Sequence, residues 1–262
     1  MVPERQDNLD ISIIVTALNE EDNIISVIED SLKAFKDFQV DGEIIVVNDG
    51  SIDKTGELVG EAIKKNSCIK MIRHESPQGV GASFWDGVKI AEGEMVSWMP
   101  GDNENIPSEI VRYLRLSNDV DIVIPYVYNK RVRHWFRNLL SCLYTFIINT
   151  TFGMSINYTN GTVLYRRSVL NTLDYHCSSF FYQTDIIVRL VRAGYLFTEV
   201  PYCLRGRKGG RSKAISISSL YKIAKGYFNL VKDIYFKKAP DNKKYKFISD
   251  SITFKRYSAH LD

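Results

Sequence analysis

The chain has 262 residues, enough for one large α/β domain or two small ones and for a sizeable core in either case. Its 34 basic and 31 acidic residues leave a formal charge of +3, too balanced for a chain that binds nucleic acid by bulk electrostatics. The distribution is uneven: acids crowd the first half, whereas Lys and Arg dominate from Lys130 onward and culminate in Arg205-Gly-Arg-Lys-Gly-Gly-Arg-Ser-Lys213 and Lys237-Lys238, so an anionic partner is expected on that side.

Through the first 125 residues, short β-branched runs alternate with segments of helical spacing, the pattern of a mostly parallel, helix-covered sheet. A strand is expected over 11–17. The helix after it is expected to open with Glu20, Glu21 and Asp22, acids that suit a positive helix end, and to bury Ile24, Ile28, Leu32 and Phe35. A strand over 43–48 precedes a helix over 55–65. A strand over 69–74 precedes a helix that opens at Gly79-Val-Gly81 and runs to Ala91. Strands over 95–99 and 121–125 flank a short helix that follows Pro107, a favoured first-turn residue. Beyond Asn129 the strict alternation ends. Expected there are a helix over 133–150, a strand over 162–166, a helix over 183–193, a strand over 196–201 and, after the basic loop, an amphipathic basic helix over 217–236. Residues 240–246 read as a linker. The expected organisation is one α/β domain over 1–239, with halves 1–125 and 126–239, and a charged tail over 240–262.

Cys68, Cys142, Cys177 and Cys203 lack the short paired spacing of a zinc or redox motif and read as reduced structural residues. The opening Met-Val-Pro-Glu-Arg-Gln-Asp-Asn has neither the basic start nor the apolar core of a signal peptide, so a cytoplasmic protein is expected. The longest apolar stretch, 135–152, is interrupted by Arg137, Asn138 and Asn149, and its uninterrupted part is shorter than the ~20 residues of a membrane span. That stretch and the basic helix ending in Tyr235-Phe-Lys-Lys238 suit either core packing or peripheral contact with an anionic membrane surface.

In open parallel sheets ligands bind where the strands end. Carboxylates stand at three expected ends: Thr16-Ala-Leu-Asn-Glu20, Val47-Asn-Asp-Gly-Ser-Ile-Asp53 and Met99-Pro-Gly-Asp102-Asn-Glu104. A base and ribose offer donors that carboxylates accept, whereas a diphosphate needs a cation between itself and any acid, so these acids imply a divalent metal. Each motif alone also reads as a turn or a helix cap. Gly79 and Gly81 lack the Lys-Ser or Lys-Thr of a phosphate loop and read as a tight turn.

Taken in order, Val15-Thr-Ala-Leu-Asn-Glu20, Val46-Val-Asn-Asp-Gly-Ser-Ile-Asp-Lys-Thr55, Gly79-Val-Gly-Ala-Ser-Phe-Trp-Asp-Gly-Val-Lys-Ile-Ala-Glu-Gly93 and Arg211-Ser-Lys213 resemble the family-2 glycosyltransferases of the GT-A fold. Within that family the chain is most similar to the polyprenyl-phosphate sugar synthases of the dolichyl-phosphate mannose synthase kind. The resemblance implies a single Rossmann-like domain whose residues 1–125 bind a nucleotide-diphosphate sugar and whose residues 126–239, with their amphipathic helices, bind the acceptor. It implies base and ribose contacts from Glu20 and Asp49, with backbone contacts from Thr16 and Ala17. Asp102 matches the second acid of the family's Asp-x-Asp motif and Glu104 a further metal position, for Mg²⁺ or Mn²⁺, while Pro100 stands where the first acid would be.

Asp185 matches the acid that faces the acceptor and serves as base in members that glycosylate a hydroxyl. Arg137 matches a position associated with acceptor phosphate, and Arg207, Ser212 and Lys213 match the family's Arg-x-x-Gly-x-Ser-Lys stretch. The implied activity is metal-dependent, inverting transfer of a sugar to a polyprenyl-phosphate-type lipid, in the cytoplasm or peripherally on the cytoplasmic membrane face. Two alternatives stand beside it. One is transfer to a sugar hydroxyl in surface polysaccharide or glycolipid synthesis. The other is a non-catalytic nucleotide-sugar-binding relative, suggested by Pro100 and by Asn160-Gly-Thr162, where relatives often carry Ser-Gly-Phe. The lack of a Gln-x-x-Arg-Trp motif argues against a processive synthase.

Overall fold

The structure, a computed structural model, describes residues 9–132, 135–174, 177–205, 217–237 and 247–259. Its elements are β1 (Ile11–Ala17), α1 (Ile24–Phe38), β2 (Gly42–Asn48), α2 (Thr55–Lys65), β3 (Ile69–Arg73), α3 (Val80–Ile90), β4 (Met95–Pro100), α4 (Ser108–Val111), β5 (Ile122–Val127), α5 (Trp135–Phe152), β6 (Leu164–Arg166), α6 (Arg167–Leu170), α7 (Tyr182–Arg192), β7 (Phe197–Tyr202), α8 (Ile217–Tyr235) and α9 (Ile252–Ser258). The strands form one sheet in the order β3-β2-β1-β4-β6-β5-β7. All pairings are parallel except the two made by β6, which runs antiparallel to β4 and to β5. This is the α/β, mostly parallel, helix-flanked sheet expected from the alternation of strands and helices.

The pleat of β1 distributes its side chains to two apolar layers. Ile11, Ile13 and Val15 pack with Ile24, Val27, Ile28 and Phe35 of α1 and Val59 of α2 on one face. Ile14 faces the other way, towards Phe84, Trp85 and Val88 of α3, Ile148 and Phe152 of α5, and Ile186 and Ile187 of α7. Strands covered on both faces must be apolar at every position, which is why they read as continuous β-branched runs.

Three details depart from the sequence expectations. The first helix begins at Ile24, so Glu20, Glu21 and Asp22 precede it. Asn19 adopts a left-handed φ of 55°, and the amides of Asn19, Glu20 and Glu21 donate to side chains of the loop after β2, which keeps this segment out of the helix. A short helix, α6, follows β6. Within the segment expected to be a charged tail, α9 packs on the sheet: Ser251 caps it, and the buried Asp121 carboxylate accepts from the amides of Ile252 and Thr253 at 2.8 and 3.0 Å.

Asp121 also receives Nε of the buried Arg166 at 3.1 Å, and Arg166 spends its remaining donors on Glu94 and the Ser117 carbonyl. Every charge in this buried cluster therefore has a partner, as burial demands.

Candidate active site

In the order β3-β2-β1-β4 the connection reverses between β1 and β4, and the crevice beyond their carboxyl ends is where open α/β sheets bind ligands. Pairing aligns Thr16 with Pro100 and Ala17 with Asn48, so the three acidic motifs emerge side by side. Backbone hydrogen bonds continue past the strands: Gly101 N–H donates to the Thr16 carbonyl and Asp49 N–H to the Ala17 carbonyl, each at 2.9 Å. Trp98 Nε1 donates to Thr16 Oγ1 at 2.8 Å and latches β4 onto β1. Thr16, Ala17, Glu20, Asp49, Asp102 and Glu104 are thus brought to one end of the sheet.

Most of the second motif serves as scaffold. Ser51 Oγ accepts from Asn19 N–H at 3.0 Å, Thr55 Oγ1 from Glu20 N–H at 2.9 Å and Asp53 Oδ2 from Glu21 N–H at 3.2 Å, while Asn19 Oδ1 and Glu21 Oε2 accept in return from the amides of Ile52 and Lys54. These reciprocal bonds fix the loop that carries Glu20. Burial raises the Asp53 carboxyl, but the hydroxyl and amide of Thr55 and the Glu21 amide outweigh it and hold the group below the usual carboxylate range. Glu20 itself accepts from Asn23 Nδ2 at 3.1 Å.

Asp49 is buried. Its Oδ1 receives His74 Nδ1 at 2.7 Å and Gln78 N–H at 2.8 Å, and its Oδ2 receives Gly79 N–H at 2.9 Å. Burial pushes this carboxyl up, yet the His74 bond and the two amides prevail and hold it below its ordinary value. The turn that provides those amides lies directly on Gly50, whose φ is 77° and where a Cβ would sit 2.8 Å from Ser76 backbone, so glycine is required twice over. The Gly79 amide is thereby aimed at Asp49, and Gly79 with Gly81 forms the tight turn expected at the start of α3. At Gly81 a Cβ would stand 2.4 Å from the Cys177 carbonyl, so α3 abuts the segment that leads into α7.

In the third motif, Asp102 Oδ1 accepts from Glu104 N–H at 3.1 Å around Asn103, which takes a left-handed φ of 57°. Arg205 clamps this turn. Its side chain donates to Asn103 Oδ1 and, at 2.7 Å, to Asp30 Oδ2, and its amide donates to the Glu104 carbonyl at 2.9 Å. The basic loop therefore departs from the turn that carries Asp102 and Glu104. Arg207, Ser212 and Lys213 lie outside the described residues. Arg137, in the first turn of α5, places Nη1 4.0 Å from Glu104 Oε2.

Asp185 is held elsewhere. It is only 2% exposed in the first turn of α7, and its Oδ2 accepts from Arg189 Nε at 2.9 Å. Arg189 also donates to Asp233 of α8 at 2.8 Å, so the carboxylate belongs to an ion-pair network joining α7 to α8. Burial raises the Asp185 carboxyl, and Arg189 opposes but does not cancel this.

Asp102 and Glu104 offer hard oxygen ligands of the kind Mg²⁺ and Mn²⁺ prefer. Among the described residues no group of three or more His, Cys, Asp or Glu converges as a metal cage. The pair suits an ion whose remaining ligands come from a diphosphate, so the donor set fits. The structure also reveals two residues that sequence reasoning missed, His74 and Trp98. Neither lies in a motif, and only their placement after β3 and in β4 gave any signal.

The family model for Glycosyl transferase family 2 matches residues 12–174. The undecaprenyl-phosphate 4-deoxy-4-formamido-L-arabinose transferase of Proteus mirabilis (strain HI4320) is 26% identical over 166 residues, which are 62% of this chain and 51% of that protein. Its counterpart in Edwardsiella ictaluri (strain 93-146) is 26% identical over 170 residues, 64% of this chain and 52% of that protein. The chain thus spans about half the length of the curated relatives it matches.

Among solved structures, glucosyl-3-phosphoglycerate synthase from Mycobacterium tuberculosis shares the fold. Its complex with Mn²⁺, UDP-glucose and phosphoglyceric acid aligns at a TM-score of 0.63 and 19% identity, covering 86% of this chain and 79% of that one. Its complex with Mg²⁺ and UDP aligns at 0.61 and 20% identity, with the same coverage. With the motifs gathered at the strand ends and the family model spanning more than half of the sequence, the chain belongs to glycosyl transferase family 2.

Proposed function

We propose that this chain transfers a sugar from a nucleoside-diphosphate sugar to a polyprenyl-phosphate-type lipid held at the cytoplasmic surface of a membrane. One observation carries the reading: the helix that begins beside the strand-end acids also carries a row of exposed large apolar side chains. Arg137 reaches towards Glu104 from the first turn of α5, and along α5 Trp135, Phe136, Leu139, Leu143, Phe146 and Ile147 are exposed, several by more than half. A patch of this size marks an interaction surface. On α8, which packs against α5 through a hydrogen bond between Thr151 and Tyr227 at 2.8 Å, exposed Tyr221 and Phe228 mingle with Lys222, Lys225 and Lys232, a composition suited to an anionic lipid surface. No helix among the described residues is long and apolar enough to cross a membrane. The undecaprenyl-phosphate substrate in the names of the similar transferases supports the same acceptor class.

In this reading Glu20 and Asp49 receive the base and ribose, with backbone contacts from Thr16 and Ala17. Asp49 Oδ1 already takes two bonds, and Oδ2, with one, retains a lone pair for a ligand N–H or O–H. Asp102 and Glu104 would hold Mg²⁺ or Mn²⁺, which supplies positive charge for the departing diphosphate. Arg137, with Arg207, Ser212 and Lys213 of the basic loop, would position the acceptor phosphate. A phosphate oxygen of the acceptor displaces the diphosphate oxygen at the anomeric carbon in one step, with inversion. That oxygen is already ionised, so no side chain need remove a proton. The buried, Arg189-paired state of Asp185 suits an acceptor of this kind better than a hydroxyl, whose proton would need an accessible base.

The test is transfer of radiolabelled sugar from a panel of UDP, GDP, CDP and dTDP sugars with Mn²⁺, offering undecaprenyl phosphate in anionic vesicles against a soluble oligosaccharide. Label in the lipid extract is expected for one donor class. Label confined to the oligosaccharide selects the hydroxyl reading, and no turnover or hydrolysis with any donor selects the non-catalytic one.

A further inference from the structure

His74 lies immediately after β3, one-tenth exposed, with a carboxylate at each ring nitrogen. Nδ1 is 2.7 Å from Asp49 Oδ1, on the loop after β2, and Nε2 is 3.2 Å from Asp86 Oδ2, on α3. Its own amide donates to the Asn48 carbonyl at 2.9 Å, which anchors the backbone that carries the ring. A neutral imidazole has one N–H and one lone pair, which would turn a lone pair towards one of the two carboxylates, whereas an imidazolium donates to both. Lys89 Nζ, 2.7 Å from Asp86 Oδ1, adds a positive charge to the cluster, and Arg73 and Glu75 flank His74 in the chain. With the ring protonated, two positive charges face two negative ones. With the ring neutral, one carboxylate is uncompensated.

We propose that His74 is a positioning residue for the donor nucleotide: as an imidazolium bridging Asp49 and Asp86, it fixes which edge of the Asp49 carboxylate faces the base. The inference rests on the reading of Asp49 as a nucleotide contact and adds to it a residue that does not touch the ligand. The bridge works together with the turn over residues 76–79. His74 and Gln78 N–H occupy Oδ1, and Gly79 N–H takes one site on Oδ2. A neutral ring can donate to only one of the two carboxylates, so loss of the ring proton breaks the bridge between Asp49 and Asp86 and leaves the turn packed on Gly50 with one tie fewer.

The full-length protein tests this in three measurements from about pH 5.5 to about pH 9, a span that brackets imidazole titration. These are ¹⁵N spectra of the His74 ring, hydrogen exchange at the Gln78 and Gly79 amides, and calorimetric binding of UDP with Mn²⁺, repeated with GDP, CDP and dTDP. Protected amides are expected wherever both ring nitrogens are protonated. Protection and nucleotide affinity should fall together as the ring deprotonates, affinity by about tenfold, the weight of a charged hydrogen bond. His74→Gln should retain the fold and bind about tenfold more weakly, with a flat pH profile. Ring nitrogens that are never both protonated across this range, or a pH profile unchanged in His74→Gln, overturn the proposal. If no nucleoside diphosphate binds, the donor reading fails, whereas the ring spectra and amide exchange still decide the bridge.

Discussion

β1 and α5 are both strongly apolar, yet their side chains have opposite destinations. Every apolar residue of β1 is buried, because helices cover the sheet on both faces. Of α5, Thr145, Ile148 and Phe152 are buried, whereas Trp135 is 68% and Phe146 66% exposed. The first half of the chain spends its apolar residues on its own core and presents polar groups at the strand ends. The second half leaves large apolar side chains exposed among the described residues. Composition alone does not separate these cases, and the separation follows from which faces the topology leaves uncovered.

The sharpest way to break the comparison is at the donor end. Asp102→Ala should lower sugar transfer by about 10²–10³-fold, the scale of losing one preorganised electrostatic group at a departing oxyanion, with the unfolding transition little changed. Turnover near that of the unaltered protein would remove the strand-end acids from the chemistry. On the acceptor side, Leu143→Asp with Phe146→Asp exchanges two exposed apolar groups for charges. Partition onto anionic vesicles should fall by tenfold or more, given about 1.5–3 kcal/mol for each buried apolar side chain, while nucleotide binding stays constant. Co-sedimentation unaffected by both changes would assign this face to another partner.

The smallest effect is expected at Asp185. If the acceptor is a phosphate, Asp185→Asn should reduce the maximal rate by less than about tenfold, whereas loss of a general base costs about 10²–10⁴-fold. A fall of the larger size, without loss of the folded state, would transfer the acceptor to the hydroxyl class.

Much of the donor half was legible because its signals are local. β1 and α2 occupy the residues that pattern and flanking turn residues suggest, and the spacing of carboxylates after the strands places three motifs at one sheet edge. The start of α1 was misplaced because Glu20, Glu21 and Asp22 resemble a first helical turn, while the bonds that tie the amides of Asn19, Glu20 and Glu21 to Ser51, Thr55 and Asp53 span more than thirty positions. Sequence separation also concealed His74, whose meaning lies in two carboxylates from other elements, 25 and 12 positions away. α9 was illegible for the same reason: Ile-Thr-Phe-Lys-Arg-Tyr-Ser is short and basic, and the acid that receives its first amides is Asp121.

That clasp has a consequence for the order of events at the ribosome. Asp121 emerges 131 positions before the Ile252 amide it will accept, an interval on the order of ten seconds at ordinary elongation rates. Until then Arg166 is the charged partner available to it within the sheet, and part of its acceptor capacity waits for donors not yet synthesised. The strands of the donor half have all their partners well before that moment. Nascent chains arrested after about residue 200 should therefore carry a settled nucleotide half and an unlatched acceptor half, with the last helix acting as the closing step of the fold.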